Sequence, residues 1–328
     1  GNNVTNDSVI RSELLVDEGD PYSELLVNKS VNRMKGRGIF ANIEVESLEG
    51  SSRDLKVLQI NVEEKATGEI MLGAGVGTDG TSIAFSVSEN NWLGRGVKLT
   101  SAINASEEKL TGNLSVYNPN YNYTGNAVNV GLDLSSTDQS ATTGYKSQKT
   151  GFELGTSFEQ YENIFFSPNL RTVYEDIEAE TSASANIKKM DGTFFNTDLD
   201  YSITLDNRDQ VFQPTEGYTA TFSQSLPLIQ DSSSIKNGFN MSTYHDFSED
   251  IIGSLKLYTR SIHGVDDDVR LTNRLYLPQN RLRGFKPGKV GPKDGDDWIG
   301  GNYTMAISAE AQLPNLLPES YKTDFSIF

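Results

Sequence analysis

The chain contains no cysteine and only two histidines, His245 and His263, in 328 residues. Without thiols there is no disulfide framework and no thiolate nucleophile or metal ligand. The histidines do not stand in metal-ligand spacing to each other. Positive charge is also scarce. Lys and Arg number 28 against 45 Asp and Glu, a net charge of −17, which argues against nucleic acid or an anionic membrane surface as a partner. No apolar run approaches the roughly 18 residues of a membrane-spanning helix. That absence does not touch β-barrels, whose strands carry apolar residues only at every second position. Asp266-Asp267-Asp268 and Asp294-Gly295-Asp296-Asp297 lack the register and terminal Glu of a calcium loop and read as solvated loop acids. There is no Gly-x-Ser-x-Gly, no phosphate-binding loop and no pair of carboxylates with a cleft to act in. The expectation is a protein that is not an enzyme and has no cofactor or metal.

From Glu69 onward, strand-like runs recur between clusters of Gly, Asn, Asp and Pro, a mainly β pattern. They centre on 70–77, 83–87, 97–105, 110–117, 128–134, 152–158, 170–174, 198–206, 218–224, 239–244, 255–262, 303–313 and Phe325. In the clearest, Leu199, Tyr201, Ile203 and Leu205 alternate with Asp198, Asp200, Ser202, Thr204 and Asp206. In the run from Tyr303 to Leu313, Met305, Ile307, Ala309, Ala311 and Leu313 share one face, and Thr304, Ala306, Ser308, Glu310 and Gln312 the other. Period two means a strand between unlike surroundings. Acids and hydroxyls cannot face hydrocarbon cheaply, so one face must be wet. The alternation therefore predicts a polar side lined by Asp198, Asp200, Ser202, Thr204 and Glu310, with Leu199, Tyr201, Met305 and Ile307 on the apolar side.

The first 66 residues differ. Thr5 or Asn6 can cap a helix carrying Ile10 and Leu14, and Asp20-Pro21 can open a second one with proline at its first position. Val27, Val31 and Met34 give that helix an apolar stripe, and Gly36 and Gly38 end it. Two strands follow, carrying Ile43 and Val45, then Leu58, Ile60 and Val62. The stripe is expected to pack on Ile43, Val45 and Ile60.

Three further segments carry family signals. Asn91-Trp92-Leu93-Gly94-Arg95-Gly96 is a turn between the second and third strands of the β region, with a Trp suited to a membrane interface. Asp206-Asn207-Arg208 precedes a second turn that ends in Pro214-Thr215-Glu216-Gly217. Residues 271–302 form a loop of about thirty residues, a length that is usually functional or disordered. At its centre stand Arg281, Arg283, Gly284 and Phe285, and Gly291-Pro292 and Gly300-Gly301-Asn302 follow. Its aromatic residue, cations and Gly-Pro turns favour a packed loop.

Taken in order, these segments resemble the bacterial outer-membrane protein assembly factors of the BamA family across essentially the whole chain. The helix-helix-strand-strand module is similar to that family's polypeptide-transport-associated (POTRA) domain after its first strand. The resemblance implies a POTRA domain over 1–66 and, over 67–328, about thirteen strands of a sixteen-stranded transmembrane antiparallel β-barrel. The chain is then a fragment of a longer exported protein, lacking the module's first strand and about three barrel strands. The matched turn residues are Asn91, Trp92, Leu93, Gly94 and Gly96, and Asp206, Arg208, Pro214 and Gly217; the resemblance makes both turns periplasmic. It also implies that the Arg283-Gly284-Phe285 tip folds into the lumen, with Arg283 pairing with Glu310 and with a second acid beyond Phe328. Leu277-Pro278-Gln279 stands where many relatives carry Gly-Gly.

The implied function is folding and insertion of β-barrel proteins into the outer membrane, with the POTRA domain in the periplasm. The implied partners are unfolded outer-membrane proteins, accessory lipoproteins of an assembly complex, periplasmic chaperones and outer-membrane lipid. A two-partner secretion transporter or another assembly-family paralogue shares the loop motif. A passive porin is the alternative of a different class.

Overall fold

Alternation decides most of the architecture. In a computed structural model, the described residues are 2–327 except 53–54, 78–79, 141–143, 184, 212, 231–232, 249, 266–267, 271–272, 283, 286–287, 295–296 and 315–324. Two short helices come first, α1 (Asp7–Arg11) and α2 (Glu24–Gly36), then the antiparallel pair β1 (Phe40–Glu49) and β2 (Lys56–Glu64). The strands that follow are β3 (Gly68–Gly77), β4 (Gly80–Trp92), β5 (Val97–Ser106), β6 (Lys109–Asn118), β7 (Ala127–Gln139) and β8 (Tyr145–Tyr161). After them come β9 (Ile164–Ala179), β10 (Gly192–Asp206), β11 (Gly217–Gln230), β12 (Ser234–Ser248) and β13 (Ile251–Gly264). The two-residue pair β14 (Lys293–Asp294) and β15 (Asp297–Trp298) lies in the long loop, and β16 (Tyr303–Leu313) and β17 (Phe325–Ile327) end the chain.

The chain divides into two compact units, residues 1–156 and 157–328. In the first, β3 to β7 form a meander in which each strand pairs antiparallel with the one before. In the second, β9 to β13 do the same and β16 adds to β13. Every strand-like run read from the sequence is a strand here. Several run well past the roughly nine to eleven residues that cross a bilayer: β8 has 17 and β9 has 16.

The helical module of the first unit has a small core of its own. Met34 at 0%, Val9 at 2% and Ile39 at 1% exposure pack with Phe40 and Val62. Ile10, Leu14, Val31, Ile43 and Ile60 cover the cluster. Ile43 faces Val62 and Val45 faces Ile60 across the ladder. The expected stripe is thus corrected in two places: Val27 and Val45 are half-buried outside the cluster, and Ile39 takes the central position. The helix also starts later than Pro21. Ser23 is extended, and its hydroxyl accepts from the Leu26 amide at 3.4 Å, satisfying a first-turn donor; Asp20, the cap for a start at Pro21, instead accepts from the Asp17 amide at 3.0 Å. Ser30, also buried, accepts from the Leu15 amide and donates to the Leu26 carbonyl, both at 2.8 Å, which ties the segment after α1 to α2.

Met34→Ala is expected to lower the local stability of this module by about 2–5 kcal/mol, because it empties a fully buried site. Val45→Ala should cost under about 1 kcal/mol. Native-state hydrogen exchange of the α2 amides measures both; equal costs would place the core elsewhere.

Candidate functional site

In the strands the exposure pattern is the reverse of a water-soluble sheet. On β16, Tyr303 (69%), Met305 (60%) and Ile307 (64%) are exposed, while Thr304, Ala306, Ser308 and Glu310 are half-buried. On β10, Leu199 and Ile203 are exposed, whereas Asp198 is buried and Asp200, Ser202 and Thr204 are half-buried. Tyr201, placed with the apolar set, is half-buried because its ring lies between Phe166 and Phe222 on the same face. The sheltered face is polar and internally bonded: Thr204 and Thr221 share a hydrogen bond at 3.0 Å, and Gln230 donates to Asp198. Contiguous exposed apolar surface of this kind marks a face built for a membrane or a partner.

The long loop is packed at its base. Leu275 and Gly301 exchange backbone hydrogen bonds at 2.8 and 2.9 Å, and the Tyr276 hydroxyl donates to the Trp298 carbonyl at 2.9 Å. Arg270 lies over the Phe194 ring at 3.8 Å, and Lys293 over Trp298 at 4.5 Å. Arg281, assigned no role from the sequence, sits 5.2 Å above the Tyr258 ring. Tyr258 pairs with Ala306 and so belongs to the polar side, which brings this part of the loop to that wall. Arg283 lies outside the described residues, as do Asp266, Asp267, Gly295 and Asp296. Gly284 has φ +85° and Phe285 is exposed. The expected acceptor, Glu310, makes an ion pair with Lys256 on the neighbouring strand at 2.8 Å. Sequence spacing gave no hint of that cation, because it lies across the ladder rather than along the chain.

The turn from β10 to β11 is built on one carboxylate-guanidinium fork. Arg208 Nε donates to Asp206 Oδ1 at 2.7 Å and Nη2 to Oδ2 at 2.6 Å. Asp209 then accepts from the Thr215 amide and hydroxyl. Pro214 is half-buried. Gly217 has φ +92°, and a Cβ there would lie 2.1 Å from the Asn207 carbonyl oxygen, so only glycine closes the turn.

The most connected site joins the helical module to the turn from β4 to β5. Asn91 is buried; its Oδ1 accepts from the Gly96 amide at 2.7 Å and its Nδ2 donates to Thr5 Oγ1 at 2.9 Å. The Asn6 amide donates to the Gly94 carbonyl at 2.8 Å. Gly94 has φ +70°, and a Cβ on it would meet the Val4 carbonyl oxygen at 2.1 Å. Trp92 and Leu93 point outward, with 45% and 71% exposure. From the other side, Glu64 accepts from the backbone amides of Asn3, Val4 and Thr5. Burial alone would raise the Glu64 carboxyl; hydrogen bonds from the Thr5 side chain and those three amides outweigh it and hold it at about 2 against an ordinary 4.5. A second strut runs through Arg37. It donates to the buried Glu13 carboxylate and reaches the Gly96 carbonyl at 3.5 Å. The sequence placed Asn91, Gly94 and Gly96 in a turn, but Glu64, Thr5, Glu13 and Arg37 carry no local signal of this role.

Residues 91–328 match the Omp85 superfamily domain, and residues 1–65 match the POTRA domain described as a surface antigen variable number repeat. The chain is 28% identical over 327 residues to the outer membrane protein assembly factor BamA of Neorickettsia risticii (strain Illinois), covering 97% of this chain and 44% of that protein. It is 25% identical over 352 residues to BamA of Neisseria meningitidis serogroup B, covering 96% and 43%. The chain therefore spans less than half the length of these relatives. Among solved structures, BamA from Haemophilus ducreyi lacking POTRA domains 1–3 superposes with a TM-score of 0.74 at 22% identity, over 99% of this chain and 69% of that one. CdiB from Escherichia coli superposes with a TM-score of 0.64 at 13% identity, over 96% and 60%. At these identities the structural likeness is one of fold.

Because the Glu64 carboxyl is held low, its stabilising contribution is complete above pH 4.5 and is lost as pH falls through about 2. At neutral pH, Glu64→Gln should speed hydrogen exchange at the Val4 and Thr5 amides about tenfold or more, the worth of hydrogen bonds to a charged acceptor. Asn91→Ala should speed exchange at Gly96 and leave the β9–β13 amides unchanged. Unaltered exchange at residues 3–6 in both variants would mean that these contacts do not hold the junction.

Proposed function

The chain belongs to the Omp85 superfamily, and on that premise we propose that it forms the barrel region and adjoining POTRA module of an outer-membrane protein assembly factor. In this reading the exposed apolar faces meet outer-membrane lipid, the polar faces line a lumen, and the module and its turns lie in the periplasm. The protein acts by binding and templating, without covalent chemistry. Its substrates are unfolded outer-membrane proteins, delivered by periplasmic chaperones, and accessory lipoproteins complete the assembly complex. The periplasm supplies no nucleotide, so folding of the substrate into the bilayer provides the free energy.

The observation that carries the reading is β3. Within its unit it pairs with β4, and it is a glycine-rich strand, GEIMLGAGVG. Ile70, Leu72 and Val76 on it are 74%, 76% and 85% exposed. Its glycines keep it weakly specified in register, so a seam at β3 would open readily and offer amides and carbonyls to an incoming strand. The junction built on Asn91 and Glu64 lies at the last residues of β4, beside the start of β3, where Gly68 pairs with Glu89, so the module that would receive substrate is tied next to the strand that would pair with it.

A photoreactive residue at Ala74 in the full-length protein is expected to capture a folding reporter barrel, while the same residue at Leu114, on the doubly paired β6, captures little. Equal capture at both positions would reject edge templating. In the same assay Arg283→Ala should impair reporter assembly through loss of the lumenal loop contact. Arg281→Ala, which removes a cation-π contact of about 0.5–2 kcal/mol, should impair it less. Equal, mild effects of the two substitutions would remove the loop from the mechanism.

A further inference from the structure

The apolar face of β12, β13 and β16 is not smooth. Near the turn-side end of these strands it sinks into a hollow of about 520 Å³ bounded by His245, Phe247, Gly253, Leu255, Ala309 and Ala311. His245 pairs with Gly253, and Gly253 with Ala311, while Leu255 pairs with Ala309. Three small residues therefore lie together where neighbouring rows carry Leu257, Ile307 and Met305, and they thin the wall by a side chain's depth. Gly253 is needed for the shape: a Cβ on it would lie 2.5 Å from the Phe247 ring. Phe247, 70% exposed, leans edge-on against His245. The sides and floor are almost wholly hydrocarbon.

The rim is different. Glu216, His245 and Asp246 bring a carboxylate oxygen or ring nitrogen each to within 4.8 Å of one another. Glu216 immediately precedes Gly217, which pairs with Tyr244, so alternation places it on the same face as His245. The ladder register shifts between Asp246 and Ser248, the kind of irregularity that re-aims a side chain. The Glu216 carboxyl is raised, first by the hydrogen bond and charge of Asp246 beside it, with His245 opposing the shift; among the described residues, neither acid makes an ion pair with Lys or Arg. The nearby Arg208 is already committed to Asp206. Tyr218 lies on the same face one step deeper, its hydroxyl accepting from Asn207 at 3.0 Å, as an aromatic residue at a membrane-water interface does.

An apolar trough that opens at an interface onto a rim with two carboxylates fits an amphiphile whose head group carries an ammonium donor. We propose that this hollow binds one phospholipid with a primary ammonium head group, the ammonium on Glu216 and Asp246 and an acyl chain along Gly253, Ala309 and Ala311. The assignment rests on the membrane-barrel reading above, since the hollow must face the bilayer.

The test is native mass spectrometry of the full-length protein in detergent with equal amounts of phosphatidylethanolamine, phosphatidylcholine and phosphatidylglycerol of matched acyl chains. The wild type should retain phosphatidylethanolamine about fivefold or more over phosphatidylcholine, the worth of charge-assisted hydrogen bonds that a quaternary head cannot donate. Glu216→Gln combined with Asp246→Asn should abolish that preference while leaving lipid retention. Ala309→Trp, which fills the trough from an exposed position, should reduce retention of all three. Equal retention of ethanolamine and choline lipids by the wild type, or a preference that survives the double substitution, overturns the proposal. So does a preference removed by EDTA and restored by Mn²⁺, which would make the rim a metal site. Insertion into phosphatidylcholine liposomes, read by heat-modifiable mobility, is measured in parallel. Insertion without lipid preference defeats this site alone; failure to insert defeats the membrane reading with it.

Discussion

A β-strand in a bilayer must satisfy every backbone donor and acceptor within the sheet while its side chains serve two solvents. That constraint explains why these strands hide Asp198, Thr204 and Glu310 and expose Ile203, Met305 and Ile307. It also explains the pairing of each strand with its sequence neighbour, since hairpins are the shortest route to a complete ladder. At a seam beside β3, as proposed, the same backbone groups would become a binding surface. In the proposed function, edge templating and membrane residence would come from this one physical requirement, met along the ladders and relaxed where a seam opens.

The junction with the helical module shows how few polar atoms suffice to position such an edge. The amide of Asn91 links the turn to Thr5, and the carboxylate of Glu64 gathers the backbone amides of Asn3, Val4 and Thr5. Glu13 and Arg37, both largely buried, brace the turn from the helix side. Glu64 and Arg37 reach backbone amides and a backbone carbonyl across the junction. They hold the module by hydrogen bonds to backbone, which tolerate sequence drift on either side of the contact.

Most of the strand layout was legible because period two is written into single segments such as Asp198 to Asp206. The two turns were legible because glycine at Gly94 and Gly217 is demanded by backbone geometry. Partnerships across the ladder were not. Lys256 facing Glu310, Thr5 meeting Asn91 and Glu216 meeting His245 each join residues far apart in the chain, and periodicity gives a face without a neighbour. The α2 boundary was misplaced because Pro21 and Ser23 are both good helix starters, and the choice between them rests on a hydroxyl-to-amide contact. Val27 and Val45 fell outside the core because a short module buries only the part of a stripe nearest its centre.

The absence of cysteine makes the central claim directly measurable. Single cysteines at successive positions from 303 to 310 in the membrane-reconstituted protein can be probed with a small water-soluble maleimide. The account predicts fast labelling at positions 304, 306, 308 and 310 and slow labelling at 303, 305, 307 and 309, with the slow set quenched by lipid-soluble probes when spin-labelled. Uniform labelling, or the opposite alternation, would contradict the assignment of one face to water and the other to lipid.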